Sequence, residues 1–83
     1  MCRIVDPIKT GARLKQLCKE KGLTAKDIQR LLNLSERRSV YYWFSGESLP
    51  TIDNLYMLAG YLGVSLDEII VARENDPSKP SLK

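Results

Sequence analysis

Residues 23–50 read LTAKDIQRLLNLSERRSVYYWFSGESLP, the pattern of two short helices set around a tight turn. The Thr24 hydroxyl can accept from a free backbone N–H, and Asp27, three residues on, can reach back to the Thr24 amide, which together make a capping box. Ile28, Leu31 and Leu32 follow at spacings of three and four, so one face is apolar and Lys26, Gln29 and Arg30 are left for solvent or a ligand. Asn33 ends this helix, because Asn is among the few residues besides Gly that accept the left-handed conformation of a C-terminal cap. Ser35 is the expected N-cap of the next helix, which is predicted over about 36–45.

In that second helix Val40, Trp43 and Phe44 fall at i, i+3 and i+4 and define the buried side, and Gly46 is placed to end it. With about 100° between successive residues, Arg38 and Tyr42 point nearly opposite Val40. Ser45 lies close to them, and Ser39 and Tyr41 flank them, while Arg37 is expected in the first turn. Tyr41 has two readings: it faces a ligand, or it lies partly against the core. Two arginines and two tyrosines on one exposed helix beside a turn make a contact surface.

Working outward, Asp6 caps a first helix with Pro7 at its first position, where the missing N–H costs nothing, and Gly22 closes it. Leu14, Leu17 and Cys18 form its apolar stripe. Thr51 opens a fourth helix in which Ile52, Leu55, Leu58, Ala59 and Leu62 keep helical period up to Gly63. Val64 then packs past the cap, and Ser65 to Glu68 form a second capping box that starts a short fifth helix with Leu66, Ile69 and Ile70 inward. No strand signal or repeat occurs, so the expected fold is all-α with five helices in one domain over residues 1–72, and residues 73–83 read as a disordered polar tail.

Composition limits what the contact surface serves. The 83 residues are 43% hydrophobic and 28% charged, values ordinary for a soluble domain with one small core and too few residues for an enclosed catalytic cleft. There is no histidine, nucleophile motif or phosphate-cradling glycine loop, so an enzyme is not expected, nor is a metal or other cofactor. Cys2 and Cys18 read as free thiols, Cys18 as a small core residue. No stretch approaches a membrane span or the apolar core of a secretory signal, which leads to a cytoplasmic expectation. The net charge of +3 is unevenly placed: residues 1–46 carry ten Lys/Arg against four Asp/Glu, a net +6, and residues 47–83 carry three against six, a net −3. The positive half contains the two-helix unit, as a phosphate-facing surface requires, although lysine-rich helices also occur simply as solvated faces.

The chain resembles the lambda-repressor/Cro-type, or XRE-like, helix-turn-helix domains from about Gly11 to Val71. The resemblance is carried by Gly22-Leu23-Thr24, Ile28, Leu31-Leu32, Leu34-Ser35, Val40, Trp43, Gly46, Pro50, Asp53-Asn54-Leu55, Leu58-Ala59 and Leu62 to Ile69 in that order and spacing. It implies a five-helix domain whose second and third helices form the helix-turn-helix, and a sequence-specific, usually dimeric, DNA-binding transcription regulator, expected to be a repressor. Carried over by position, Arg37, Arg38, Ser39 and Tyr42 meet base edges and Thr24 meets phosphate; Lys26, Gln29, Tyr41 and Ser45 are further expected phosphate contacts on the same exposed surface. Ala25 stands where the family often has a phosphate-bonding Gln, and the link between the helices is one residue longer than is most common. Cys18 and Phe44 stand where members often pair an Arg with a Glu, so an apolar pair is expected in place of an ionic one. The dimer surface is expected on Tyr56, Met57, Tyr61 and Val71, with no small-molecule effector pocket. The competing reading is an antitoxin-like or adaptor module that uses the same fold to grip a protein.

Overall fold

A computed structural model describes residues 4–73, so Cys2 and the expected tail from residue 74 onward lie outside the described residues. Five helices follow in chain order: α1 (Pro7–Glu20), α2 (Ala25–Leu31), α3 (Arg38–Ser45), α4 (Ile52–Leu62) and α5 (Leu66–Ile69). The start signals act as their side chains dictate. Asp6 accepts from the Lys9 amide at 3.0 Å, with Pro7 opening α1, and the Thr51 hydroxyl accepts from the Asn54 amide at 3.2 Å. Glu68 accepts from the Ser65 amide at 2.9 Å, and α4 ends at Gly63 with the Val64 amide reaching back to the Ala59 carbonyl at 3.0 Å.

The core is one cluster drawn from all five helices. Leu14 and Cys18 of α1, Ile28 of α2, Val40 and Trp43 of α3, Leu55, Leu58 and Leu62 of α4 and Ile69 of α5 are buried, with Leu17, Phe44 and Val64 packed against them. Cys18 therefore does enter the core as a small apolar residue, on the same cluster that Phe44 covers. Burial pushes its thiol up to about 11, so at neutral pH it is an uncharged S–H.

Two expectations for apolar residues fail. Leu31 is exposed, because the buried line of α2 runs through Ala25, Ile28 and Leu32 and Leu31 lies about 90° from its centre on a helix that ends there. Ile52 is 79% exposed, since as the first residue of α4 it projects ahead of the buried series Leu55, Leu58, Ala59 and Leu62.

The chain ends are tied together by polar bonds. Thr10, the buried polar residue of α1, accepts from the Val71 amide at 2.9 Å and donates its hydroxyl proton to the Val71 carbonyl at 3.3 Å. The Asp6 amide donates to the same carbonyl at 2.8 Å, and the Arg73 amide donates to that of Ile4 at 2.9 Å. A single antiparallel bridge between Val5 and Ala72 results, which an absence of strand periodicity could not announce. Arg73, placed at the start of the tail by composition, takes part in this pairing.

The position of α3 is set by Gly11. Its missing Cβ would fall on the Trp43 carbonyl oxygen and 2.8 Å from that of Phe44, so the backbones of α1 and α3 are in direct contact. Gly11→Ala is expected to lose about 1 to 3 kcal/mol through overpacking despite alanine's better helix propensity. Gly60→Ala, on α4 with open space around the new methyl, is expected to gain about 0.5 to 1 kcal/mol. Thermal unfolding of the two variants checks this, and a stabilised Gly11→Ala would show the close approach to be relaxed in solution.

Candidate nucleic-acid interface

The turn between α2 and α3 is built by Asn33, which has φ of 56°, and by the Leu34 amide, which returns to the Gln29 carbonyl at 2.9 Å. This closes α2 as expected from the tolerance of Asn for left-handed backbone. The start of α3 differs from expectation. Ser35 does not cap it: the chain leaves Asn33 in an irregular segment, and the N-cap is Arg37, in helical geometry with no side-chain cap bond. The helix thus begins at Arg38, two residues later than predicted, and Arg37 stands just ahead of the first turn. The physical reason is that Leu34 turns back to close α2, so the residues up to Arg37 are spent redirecting the chain.

Arg37 is held from the other side of the turn. Its Nε donates to Gln29 Oε1 at 3.1 Å, while Gln29 Nε2 donates to the Leu34 carbonyl at 3.4 Å, so one side chain of α2 braces both the turn and the arginine. Arg38 lies between two partners. Its Nε is 3.2 Å from Glu36 Oε1, and it shares a hydrogen bond with the Tyr42 side chain one helical turn away. The Tyr42 bond, then the Glu36 charge, raise the Arg38 pKa above its ordinary value, so the guanidinium stays charged.

The exposed side of α3 carries the residues expected there. Arg38, Tyr42 and Ser45 are exposed and Ser39 is half-buried, whereas Val40 and Trp43 on the opposite side are sealed in the core. Tyr41 is 56% exposed, which resolves its two readings in favour of the surface. The Ser45 hydroxyl donates to the Tyr42 carbonyl at 3.2 Å. Lys26 is exposed on α2, and Gln29 is half-buried by its bracing role. At the start of α2 the capping box forms in both directions: the Asp27 amide donates to the Thr24 hydroxyl at 3.2 Å, and the Thr24 amide donates to Asp27 Oδ2 at 2.9 Å.

Sequence reasoning missed Glu36 and the double role of Gln29. The Gln29 to Arg37 bond spans eight residues across a turn, so no helical spacing signals it. The Glu36 to Arg38 pair has a signal in the adjacent opposite charges, but its geometry depends on where α3 begins.

Comparison with known proteins agrees with this geometry. A family model described as helix-turn-helix matches residues 14–69. The restriction-modification controller protein C.AhdI from Aeromonas hydrophila is 30% identical, with a TM-score of 0.68 over 77% of this chain and 96% of that one. A transcriptional regulator from Listeria innocua is 38% identical, with a TM-score of 0.68 over 88% of this chain and 70% of that one. The BldD DNA-binding domain of S. venezulae, 21% identical with a TM-score of 0.66 over 80% of this chain and 97% of that one, shares the fold. A search of the curated proteins found no match. The molecule is thus an all-α domain of the DNA-binding transcription-regulator class. The chain belongs to the helix-turn-helix family, within its lambda-repressor-like group. Among the described residues no helix is long and apolar enough to cross a membrane.

The capping box makes a pH-dependent contribution. Asp27 has a pKa below the ordinary 3.8, first through the Thr24 amide bond and then the Thr24 hydroxyl. A carboxylate with a depressed folded-state pKa adds stability that is complete above the unfolded value and disappears as pH falls through the folded one. Asp27→Asn is therefore expected to flatten the fall of Tm between about pH 5 and pH 3, and Thr24→Ala to cost about 1 kcal/mol at neutral pH. An Asp27→Asn protein with an unchanged acid profile would exclude this account.

Proposed function

We propose that the protein is a sequence-specific regulator, acting as a repressor in the cytoplasm, that lays α3 in the major groove of double-stranded DNA. The observation that carries this reading is the two-sidedness of α3, with Arg38 and Tyr42 exposed one turn apart while Val40 and Trp43 are locked in the core. An eight-residue helix is about 12 Å long, close to the width of the major groove. The net +6 of residues 1–46 supplies the sequence-independent attraction to phosphate.

Within that arrangement Arg38 presents its planar fork to the O6 and N7 acceptors of guanine, with Arg37, Ser39 and Tyr42 beside it at base edges. Thr24, Lys26, Tyr41 and Ser45 meet phosphate oxygens, and Gln29 acts there with the amide proton it does not give to Leu34. Repression needs no step beyond this binding, since a protein seated on a promoter excludes other proteins from it.

One α3 covers about half a turn of groove, so the operator affinity of a regulator calls for a two-fold dimer with half-sites about 34 Å apart or a multiple of that. Tyr56, Met57 and Tyr61 are exposed on α4, as is Ile52, and offer apolar surface for such a contact. Val71 is a poorer candidate than its sequence position suggested, because it is half-buried and both its backbone groups bond to Thr10. Sedimentation equilibrium is expected to show a dimer that Tyr56→Lys converts to monomer; monomer alone at high concentration would remove the proposal.

Arg38→Ala is expected to cost about 1 to 3 kcal/mol on a site selected from random DNA and to relax preference at one base pair, with much less effect on unselected DNA. An equal loss on both would make Arg38 a phosphate contact only. Binding measured against salt concentration is expected to weaken steeply, and a protein with no DNA affinity at low salt would instead be the partner-gripping module.

A further inference from the structure

A groove of about 660 Å³ opens between the C-terminal halves of α1 and α3 and the start of α2. Leu23, Ala25, Tyr41 and Phe44 contribute its apolar lining, and Lys15 and Lys19, one turn apart on α1, bring two ammonium groups to it. No carboxylate lines it, and neither ammonium group has a hydrogen bond or ion pair among the described residues. The size lies within the range of about 300 to 1,000 Å³ usual for small-molecule sites. Composition alone gave no sign of this space, since it forms only when α1, α2 and α3 meet around the short side chain of Ala25.

We infer that this groove binds a small aryl carboxylate. The two lysines with no carboxylate beside them select an anion. The Tyr41 and Phe44 rings select a flat apolar body, because aromatic surfaces bury well against one another. A bare phosphate satisfies the lysines and leaves the apolar lining wet, whereas a neutral arene covers the lining and leaves both lysines without a partner. An aryl carboxylate uses both halves of the site.

Thr24, Tyr41 and Ser45 line the same groove and are three of the five residues proposed above as phosphate contacts. Resting on that DNA-binding reading, a bound aryl carboxylate excludes the DNA backbone from them and releases the operator. The ligand is thus an antagonist of DNA binding, and the two anions compete for one face of the protein.

The test is a titration of the isotope-labelled full chain with 2-naphthoate, followed through backbone amide signals, without DNA. Saturable shifts at Leu23, Tyr41 and Phe44 are expected, with acetate and 2-naphthalenemethanol each binding at least about tenfold more weakly. Lys15→Ala/Lys19→Ala, which alters two exposed side chains, is expected to weaken 2-naphthoate by about tenfold and leave the alcohol unchanged. Ala25→Gln, which fills the groove, is expected to weaken both. Absence of saturable shifts, equal binding of the alcohol, or an undiminished affinity of the double-lysine variant would overturn the site. In a second arm 2-naphthoate is added to the protein on its selected DNA. Release supports the antagonism, and binding of naphthoate without release overturns it. A protein that binds no DNA refutes the reading of the preceding subsection and leaves the groove to be judged by the titration.

Discussion

The structure depends on the direct contact between the backbones of α1 and α3. Gly11 permits it at one point and Gly46 at another, where a Cβ would sit 2.7 Å from the Ile8 Cα on a residue already in left-handed conformation. Two such points define a line, so α3 is fixed in tilt as well as in distance. The consequence for function is indirect but strong. A helix that reads DNA, as proposed for α3, must present its side chains within a fraction of an ångström, and that precision would come here from main-chain contact, which cannot adjust by rotamer changes as side-chain packing does. Trp43 and Val40 then fill the space beside the contact, and Arg38 and Tyr42 are left on the far side.

The two arginines at the start of α3 meet opposite demands. An exposed Arg retains much side-chain freedom, and ordering it on a base edge costs entropy. Gln29 restrains Arg37, and Glu36 with Tyr42 restrains Arg38, so part of that entropy is lost during folding. Glu36 also places a negative charge next to an arginine that the proposed function brings to DNA. In water such an exposed pair adds little stability, so it is exchanged for a guanine or phosphate contact at small cost. The carboxylate meanwhile weakens attraction to any phosphate that does not also offer a base to Arg38. Restraint and repulsion together favour discrimination over raw affinity.

Much of the fold was legible because its signals are local. Thr24 with Asp27, Asp6 with Pro7, Thr51, and Ser65 with Glu68 mark helix starts through bonds spanning three residues, and Asn33, Gly46 and Gly63 mark ends through backbone conformations that few other residues accept. Ser35 misled because it has the chemistry of a cap without the position of one; the return of Leu34 to Gln29 decides where α3 starts. Leu31 and Ile52 obey helical period yet lie outside the core, since period specifies a face and says nothing about whether another helix covers it. Of the interface, the exposed residues of α3 could be read from angular spacing. Their partners Gln29 and Glu36 could not, because those bonds depend on a turn whose geometry is set three-dimensionally.

Ala25 connects the site's chemistry to its shape. Ala25 lines the groove together with the aromatic residues of α3 and the lysines of α1. A longer polar residue there would add one hydrogen bond to a phosphate and would also fill the groove. Loss of that bond is worth about 0.5 to 1.5 kcal/mol, a penalty the net +6 half of the chain can offset through its general attraction to DNA. What remains is a concave apolar surface beside two ammonium groups, and apolar surface of this kind is costly to leave in water unless something covers it. In the proposed complex DNA would cover it only partly, since a sugar-phosphate backbone is too polar to dry the Tyr41 and Phe44 rings. A ligand that is anionic at one end and apolar at the other has the advantage there, because it gains from the rings what the backbone cannot. On the proposed reading, Ala25 thus weakens one anion contact and opens the same ground to a different anion.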